Sequence, residues 1–473
     1  MNKLSIIAKA IIIITSLVFC FSFAISPSNV DDTASEKKAR KIYAQNCSGC
    51  HGEIMEAFVD RKWKTSIAVD SIFKRIKYGS PDLGMPSFNK TISDKDIRKM
   101  SEMLVKFIDD VDSYKPSKKL TSSVFETEEM KVQLDTIATG MLSPWGFAQL
   151  PDGNFLITDR SGELYKVDQK RNKKLIKGTP KVLAEGQGGL LDLKLHPKFE
   201  ENGWVYMSYS KFKKPDSIVL TTTAIVRGKI KGDEFTEVQE IFEAAPYTRT
   251  KHHFGSKLMF DDKGYLYFSV GERGNEKEFP QSTENDNGKI HRIFDDGRIP
   301  PDNPFVNDGK SKATIWSYGH RNPQGLIFEK ATGIIWETEH GPRGGDELNI
   351  IRKGANYGWP VICNCINYNG KPITNLTKKE GMEQAETYWI PSIAPCGMTI
   401  ITGDKYPAWK GNIIIGSLRF MYLDRIVLKN GKVVKQEKLF SSLGRMRNAE
   451  MGIDGYLYIA VEKPGMVFRV KPI

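Results

Sequence analysis

The sequence predicts a mainly β chain: a six-bladed β-propeller preceded by a small all-α domain. Two patterns predict it. A turn followed by an apolar β-rich run recurs six times in the last two thirds of the chain, and ahead of these copies the apolar residues fall at helical spacing instead. A polar stretch over 111–132, holding Pro116, Lys118-Lys119 and a Ser/Thr cluster, separates the two regimes. The chain has 473 residues, 40% hydrophobic and 27% charged, which suits a soluble globular protein with room for both units.

Residues 1–24 stand apart. Lys3 and Lys9 give a basic start, Ala10 to Ile25 is almost entirely apolar, and Ser22 and Ala24 put small residues where a signal peptidase reads. Cleavage after Ala24 and delivery to the periplasm are the expectation. The apolar run, about 16 residues, is short of the roughly 20 needed to span a bilayer, so an uncleaved membrane anchor is the weaker alternative. Losing this segment removes two lysines from a net charge of +12 and leaves a basic chain. The remaining Lys and Arg are scattered and not interleaved with aromatics in one block, which argues against a nucleic-acid partner.

The all-α region, residues 35–110, carries Cys47-Ser48-Gly49-Cys50-His51. In CxxCH the two thiols add to the porphyrin and the adjacent imidazole reaches the iron, so order and spacing are those of a c-type haem site with His51 as ligand. A redox dithiol, or half of a zinc site, is the competing reading, and a zinc site would want a second CxxC that the sequence lacks. Ser35 to Cys47 reads as a helix with Ala39, Ile42, Tyr43 and Asn46 on one side. Ser93 with Asp96 marks the start of a second, whose apolar face is Ile97, Met100, Leu104, Phe107 and Ile108. Between them Pro86 holds Met85 extended, which nominates Met85 as the sixth iron ligand. Met55 lies too near His51 in sequence to reach the opposite haem face, and Met100 and Met103 lie in the helix. The region resembles a small class I cytochrome c, and that resemblance implies one-electron transfer through His51/Met85-ligated haem c.

From Gln133 to the C-terminus, 133–473, the six copies are LPDGNFLITD from Leu150, HPKFEENGWVYMSYS from His196, FDDKGYLYFSVG from Phe260, EKATGIIWETEHG from Glu329, YPAWKGNIIIGSL from Tyr406 and GIDGYLYIAVE from Gly452. Their irregular spacing, roughly 45 to 80 residues, fits one four-stranded blade per copy with inserted loops; a pair of β-sandwiches is the competing architecture. In a propeller, strand ends from every blade converge on one mouth. The runs that flank the copies are chemically rich: His252-His253-Phe254-Gly255-Ser256, Gly271-Glu272-Arg273-Gly274, Tyr318 to Gly325, Glu339 to Ile350, Arg419, and Arg445-Met446-Arg447. Arginines from several blades with a histidine imply a pocket for a polyanion. Of six cysteines, Cys363, Cys365 and Cys396 remain after the signal and the haem motif; the expected pairing is one disulfide from Cys396 to Cys363 or Cys365, a metal cluster being the alternative.

The strings GQGGLLDLKLHP, HHFGSKL, GHRNPQG, EHGPRGGDE, NYGWP and RMR together resemble the soluble quinoprotein glucose and aldose sugar dehydrogenases, six-bladed propellers that use pyrroloquinoline quinone (PQQ) and calcium. The resemblance implies oxidation of an aldose at C1 to its lactone, with electrons passing to the fused haem and on to a downstream cytochrome or oxidase. It implies that His253 is the general base, a task that suits an imidazole, and that Glu272 orients it. His252 stands where the glucose enzymes have an acid. Gln187, Arg321, Asn322, Tyr368, Ser417, Leu418, Arg419, Arg445 and Arg447 fall at PQQ-holding positions, with Arg419 where aldose enzymes usually carry Lys. Gly341 and Pro342 fall where main-chain carbonyls hold the calcium that also binds PQQ, and Glu347 and Tyr357 at a second calcium site. A sorbosone or other aldehyde substrate, or a propeller that only binds a ligand, are the rival readings.

Overall fold

The computed structural model describes residues 33–51, 55, 58, 66–109, 122–368, 371–390, 392–441 and 443–473. The expected signal segment lies outside these residues, as does 110–121. Among them no helix is long and apolar enough to cross a membrane.

The N-terminal unit is helical. Helix α1 (Ala34–Asn46) starts at Thr33, whose hydroxyl accepts from the Glu36 amide while the Glu36 carboxylate accepts from the Thr33 amide. One further turn, α2 (Ser48–His51), carries Cys50 and His51. Helix α3 (Val69–Tyr78) was not legible in the sequence pattern; it buries only Ile72 and Ile76, a stripe too narrow to announce itself. Helix α4 (Asp94–Asp109) has the expected cap, with the Asp96 amide donating to Ser93 Oγ at 3.2 Å. It packs on α1 and α3 through Ile97, Met100, Leu104 and Ile108, all buried together with Ala39 and Tyr43.

The remainder is a six-bladed β-propeller, mostly β as expected. Five blades are four-stranded sheets of consecutive strands, and the sixth joins Met446–Met451, Leu457–Val461 and Met466–Pro472 to Lys131–Ala138 and Val124–Glu126 from the start of the domain. The polar stretch expected over 111–132 therefore ends earlier: Val124–Glu126 is an outer strand, and Val132 and Leu134 are buried against Phe468 and Val470. Pairing Lys131–Ala138 with the last strand joins the two ends of the domain in one blade and so fastens the ring. Each of the six sequence copies becomes the second strand of a blade: Phe155–Asp159, Trp204–Lys213, Leu266–Val270, Ile334–Glu339, Ile413–Ser417 and Leu457–Val461. Burial on both faces explains why they read as apolar runs and not as alternation.

Innermost strands touch their neighbours around the whole ring. Near the axis Lys257 is fully buried and donates to Asp192 Oδ1 at 3.2 Å, Asn448 Oδ1 at 3.0 Å and Glu450 Oε1 at 3.3 Å, tying three blades together. Inner and second strands are antiparallel, so the start of one meets the end of the other: Pro323 pairs with Glu339, Pro395 with Ser417 and Met446 with Val461. Segments just before each inner strand and just after each second strand consequently share one end of the propeller.

The cysteines correct one expectation. Cys363 pairs with Cys365, and Cys396 stays a free, buried thiol that donates to the Met446 carbonyl at 2.7 Å. Cys396 lies on the inner strand Pro395–Ile400.

Candidate active site at the propeller mouth

His253 precedes the inner strand Leu258–Phe260, and Glu272 follows the second strand Leu266–Val270 of the same blade. The hairpin brings Nδ1 of His253 to 2.5 Å from Glu272 Oε1, and the His253 amide donates to Gln187 Oε1 at 2.8 Å. His253 sits in the left-handed region with φ 54°. Gly271 lies so close that a Cβ there would meet the His253 carbonyl oxygen at 2.1 Å, which makes glycine obligatory. Burial, then the charges of Arg321, His340 and Arg273, push the imidazole pKa well below 6.5; burial pushes the Glu272 carboxyl up, with Arg321 opposing.

Arg321 leads into the next inner strand. Its amide donates to Glu339 Oε2 at 2.5 Å, and Nη1 donates to the carbonyls of His340 at 2.9 Å and Gly341 at 3.2 Å. The Tyr368 side chain lies close enough to the same guanidinium to interact with it electrostatically. Asn322 Oδ1 is engaged by the Gly255 amide and by Gln324 Nε2, so this side chain clamps two blades. Ser417 Oγ donates to the Ile393 carbonyl and Leu418 is buried, its carbonyl accepting from Arg445 Nη1 at 3.1 Å. Arg419 Nη1 donates to the Ser392 carbonyl at 3.2 Å. Arg445 and Arg447 share Glu462, with Nε–carboxylate distances of 2.9 and 2.7 Å, and Arg447 Nη1 also reaches Gln324 Oε1 at 3.3 Å. Burial alone would raise the Glu462 carboxyl, yet Arg447 and Arg445 hold it well below the ordinary carboxylate range. Sequence reasoning missed Glu462, although it follows the sixth copy's strand just as Glu272 follows the third's. Buried Nε atoms of Arg321 and Arg419 have no partner.

Behind this cluster lies an acidic one. Strand pairing sets Glu339 opposite Glu347 and Glu337 opposite Asn349. Asn349 Nδ2 donates to Glu337 Oε2 at 3.0 Å, and ligand atoms of His320, Glu337 and Glu339 converge within 4.8 Å of one another. Burial and then the neighbouring Glu339 charge raise Glu337 well above its usual value and Glu347 to about 8. Glu337 Oε1 and Asn349 Oδ1 are buried without partners. Tyr357 stacks on His320 at 4.5 Å, and its hydroxyl donates to the Ile350 carbonyl. A small recess beside it is lined by Glu339, Gly341, Glu347, Tyr357 and Cys363. Pro342 is buried, and the Gly341 amide donates to Asp346 Oδ1 at 2.8 Å. Sequence reasoning named Glu347 here but not His320, Glu337 or Glu339, because the strand register that gathers them was not readable.

In the helical unit, His51 stacks on Phe58 at 4.6 Å, and Met85 packs against the core built by α1, α3 and α4. Cys47 and Cys50 form no disulfide. Cys50 keeps exposed surface, and its thiol lies beside Tyr368 in the field of Arg321, Arg445 and Arg419. The haem motif and the mouth of the propeller are therefore in contact.

Residues 141–469 match the family described as glucose/sorbosone dehydrogenase, and residues 34–103 match the cytochrome c oxidase cbb3-type subunit III family. An aldose sugar dehydrogenase of Escherichia coli strain K12 is 37% identical over 359 residues, covering 74% of this chain and 96% of its own. A quinoprotein glucose dehydrogenase of Acinetobacter calcoaceticus is 27% identical over 385 residues, covering 73% and 78%. Among solved structures, the apo form of the E. coli soluble aldose sugar dehydrogenase superposes with a TM-score of 0.69 at 36% identity over 72% of this chain and 100% of that one. The PQQ-bound aldose sugar dehydrogenase of Streptomyces coelicolor gives 0.59 at 27% identity over 73% and 99%. The chain belongs to the glucose/sorbosone dehydrogenase family, with an N-terminal domain of the cbb3-type cytochrome c kind ahead of the propeller.

Proposed function

We propose that this protein is an exported, periplasmic PQQ- and calcium-dependent sugar dehydrogenase that oxidises an aldose at C1 to its lactone and passes the electrons to its own haem c. The observation that carries the reading is the His253–Glu272 pair set beside an arginine cluster drawn from three blades.

The residues present fit the three groups. Buried, unpartnered Nε atoms of Arg321 and Arg419 await an anion, as the carboxylates of PQQ would provide. Buried carboxylates whose charged forms are disfavoured, with unpartnered oxygens on Glu337 and Asn349, suit a hard divalent cation. Two unpaired cysteines one helical turn apart, followed by His51, suit haem c. When bound, PQQ supplies a two-electron hydride acceptor, calcium a Lewis acid and haem a one-electron carrier.

This chain's own groups do the rest. Arg321, Arg419, Arg445 and Arg447 bind and orient carboxylates; Glu462 offsets part of the positive charge that Arg445 and Arg447 bring. Glu272 holds Nδ1 of His253, so Nε2 is the atom that takes the sugar's anomeric hydroxyl proton. Burial keeps that imidazole neutral and ready to accept. Gln187 and Gly271 fix the backbone that aims it.

The test is anaerobic: aldose added to protein loaded with PQQ and calcium should reduce the haem absorbance bands with no mediator. Haem that stays oxidised with sugar yet is reduced by dithionite would overturn the coupling. A panel of aldoses against sorbosone and simple aldehydes reads the substrate class.

A further inference from the structure

Among the described residues, the haem domain meets the propeller at the following places. The Lys251 amide donates to the Asp82 carbonyl at 3.1 Å. The backbone of Gly84 rests on the imidazole of His252, so close that a Cβ there would lie 3.0 Å from Nδ1. The Cys50 thiol lies beside Tyr368. Gly274 approaches His252 from within the propeller, where a Cβ would meet Nε2 at 2.5 Å, so the ring is held between two glycines. Its Nδ1 is buried without a partner. The residue that departs from the acid of the glucose enzymes is thus occupied by the seam between domains.

The haem-side elements are the two that grip the haem. Ser80 and Met85 exchange both backbone hydrogen bonds, at 2.9 and 3.1 Å, so the same tight loop turns Met85 toward the helical core and lays Gly84 on His252. Glycine at 84 has φ 77°, a left-handed conformation that a side chain would strain. Cys50, a thioether attachment point, faces Arg321, Arg419 and Arg445, the residues that line the mouth.

We propose that the rim at Lys251, His252 and Tyr368 is the docking surface for the chain's own haem domain, and that the docked domain covers the sugar entrance, so that sugar entry and electron exit alternate. The proposal rests on the function given above for the same mouth. Each aldose gives up two electrons and two protons in becoming the lactone, and the haem iron accepts one electron at a time. Two docked transfers therefore follow each sugar, with an external one-electron acceptor reoxidising the haem between them and the protons leaving to solvent.

The test is a tether across the seam, Asp82→Cys with Lys251→Cys, in the full chain loaded with haem, PQQ and calcium. Oxidation should yield the disulfide-linked peptide joining positions 82 and 251, read by mass spectrometry. It should also lower aldose oxidation measured with a small soluble mediator at least tenfold relative to the same double variant kept reduced, with full recovery on reduction. Absence of the linked peptide, while each single cysteine reacts with maleimide, overturns the docking. A tethered protein that oxidises aldose with the mediator at its untethered rate overturns the closure. Should the untethered protein oxidise no aldose while the linked peptide forms, the function proposed for the mouth fails and the docking surface stands.

Discussion

Nδ1 of His253 lies 2.5 Å from Glu272 Oε1, and both residues belong to one blade, on either side of the hairpin that joins its inner and second strands. A contact made within one hairpin is insensitive to small motions between blades, which suits a pair that must hold its geometry through turnover.

His253→Ala should lower kcat by about 10²- to 10⁴-fold, the usual contribution of a positioned base. Glu272→Gln, which keeps the shape, should lower it by at least about tenfold and leave KM for aldose nearly unchanged. Because burial holds the His253 pKa well below 6.5, the imidazole is neutral throughout pH 6 to 8, so kcat/KM should be flat there. A limb titrating near 6.5 in steady-state assays that is absent from His253→Ala would mean that the imidazole keeps its ordinary pKa in the working enzyme.

Glu462 offers a stability readout. Its carboxyl is held well below the usual range by Arg447 and Arg445, so the folded state favours the ionised form. That contribution is complete above the unfolded carboxylate pKa and is lost as pH falls through the folded value. Acid unfolding followed by circular dichroism should set in at higher pH for Glu462→Ala than for the parent, and the two should differ less once pH lies below both values.

Lys257 is fully buried between Asp192 and Glu450, on three different blades. Lys257→Met removes the cation and leaves Asp192 buried and uncompensated, which should destabilise the propeller by about 3–5 kcal/mol in chemical denaturation. Lys257→Met with Asp192→Asn should recover a substantial part of that loss; no recovery would mean that Lys257 acts by shape alone.

Calcium should stabilise the protein through the buried carboxylates. At a concentration about 100 times Kd the gain is about 2.7 kcal/mol, seen as a rise in Tm over chelator-treated protein. Glu337→Gln should shrink the calcium-dependent rise while leaving the chelated Tm equal or higher, since it removes a repulsive carboxylate. An unchanged calcium response would exclude Glu337 from the site.

Met85→Ala should lower the haem reduction potential in a redox titration, because a methionine ligand raises it. Met55, buried in the same helical core, is the control position: Met55→Leu should leave the potential near that of the parent.

Some of this was local and therefore readable. The haem motif is five consecutive residues, the Ser93 cap acts over three positions, and the six turn-and-strand copies each obey short-range rules, so the helical unit, the blade count and the arginines of the mouth could be named from sequence. What sequence did not reveal depends on register and on which strand ends meet. Glu339 reaches Glu347, and Glu337 reaches Asn349, only because two strands pair in that register. Arg445 and Arg447 turn to Glu462 because the end of one strand meets the start of its neighbour. Cys363 takes Cys365 as its partner, leaving Cys396 on an inner strand. Sequence by itself determined the parts and their chemistry, since propensity, capping and cofactor spacing act over a few residues. Only the closed ring, fastened by Lys131–Ala138 against Met466–Pro472, and the docking of the haem loop on His252 decided which groups share a site, because those contacts join residues up to hundreds of positions apart.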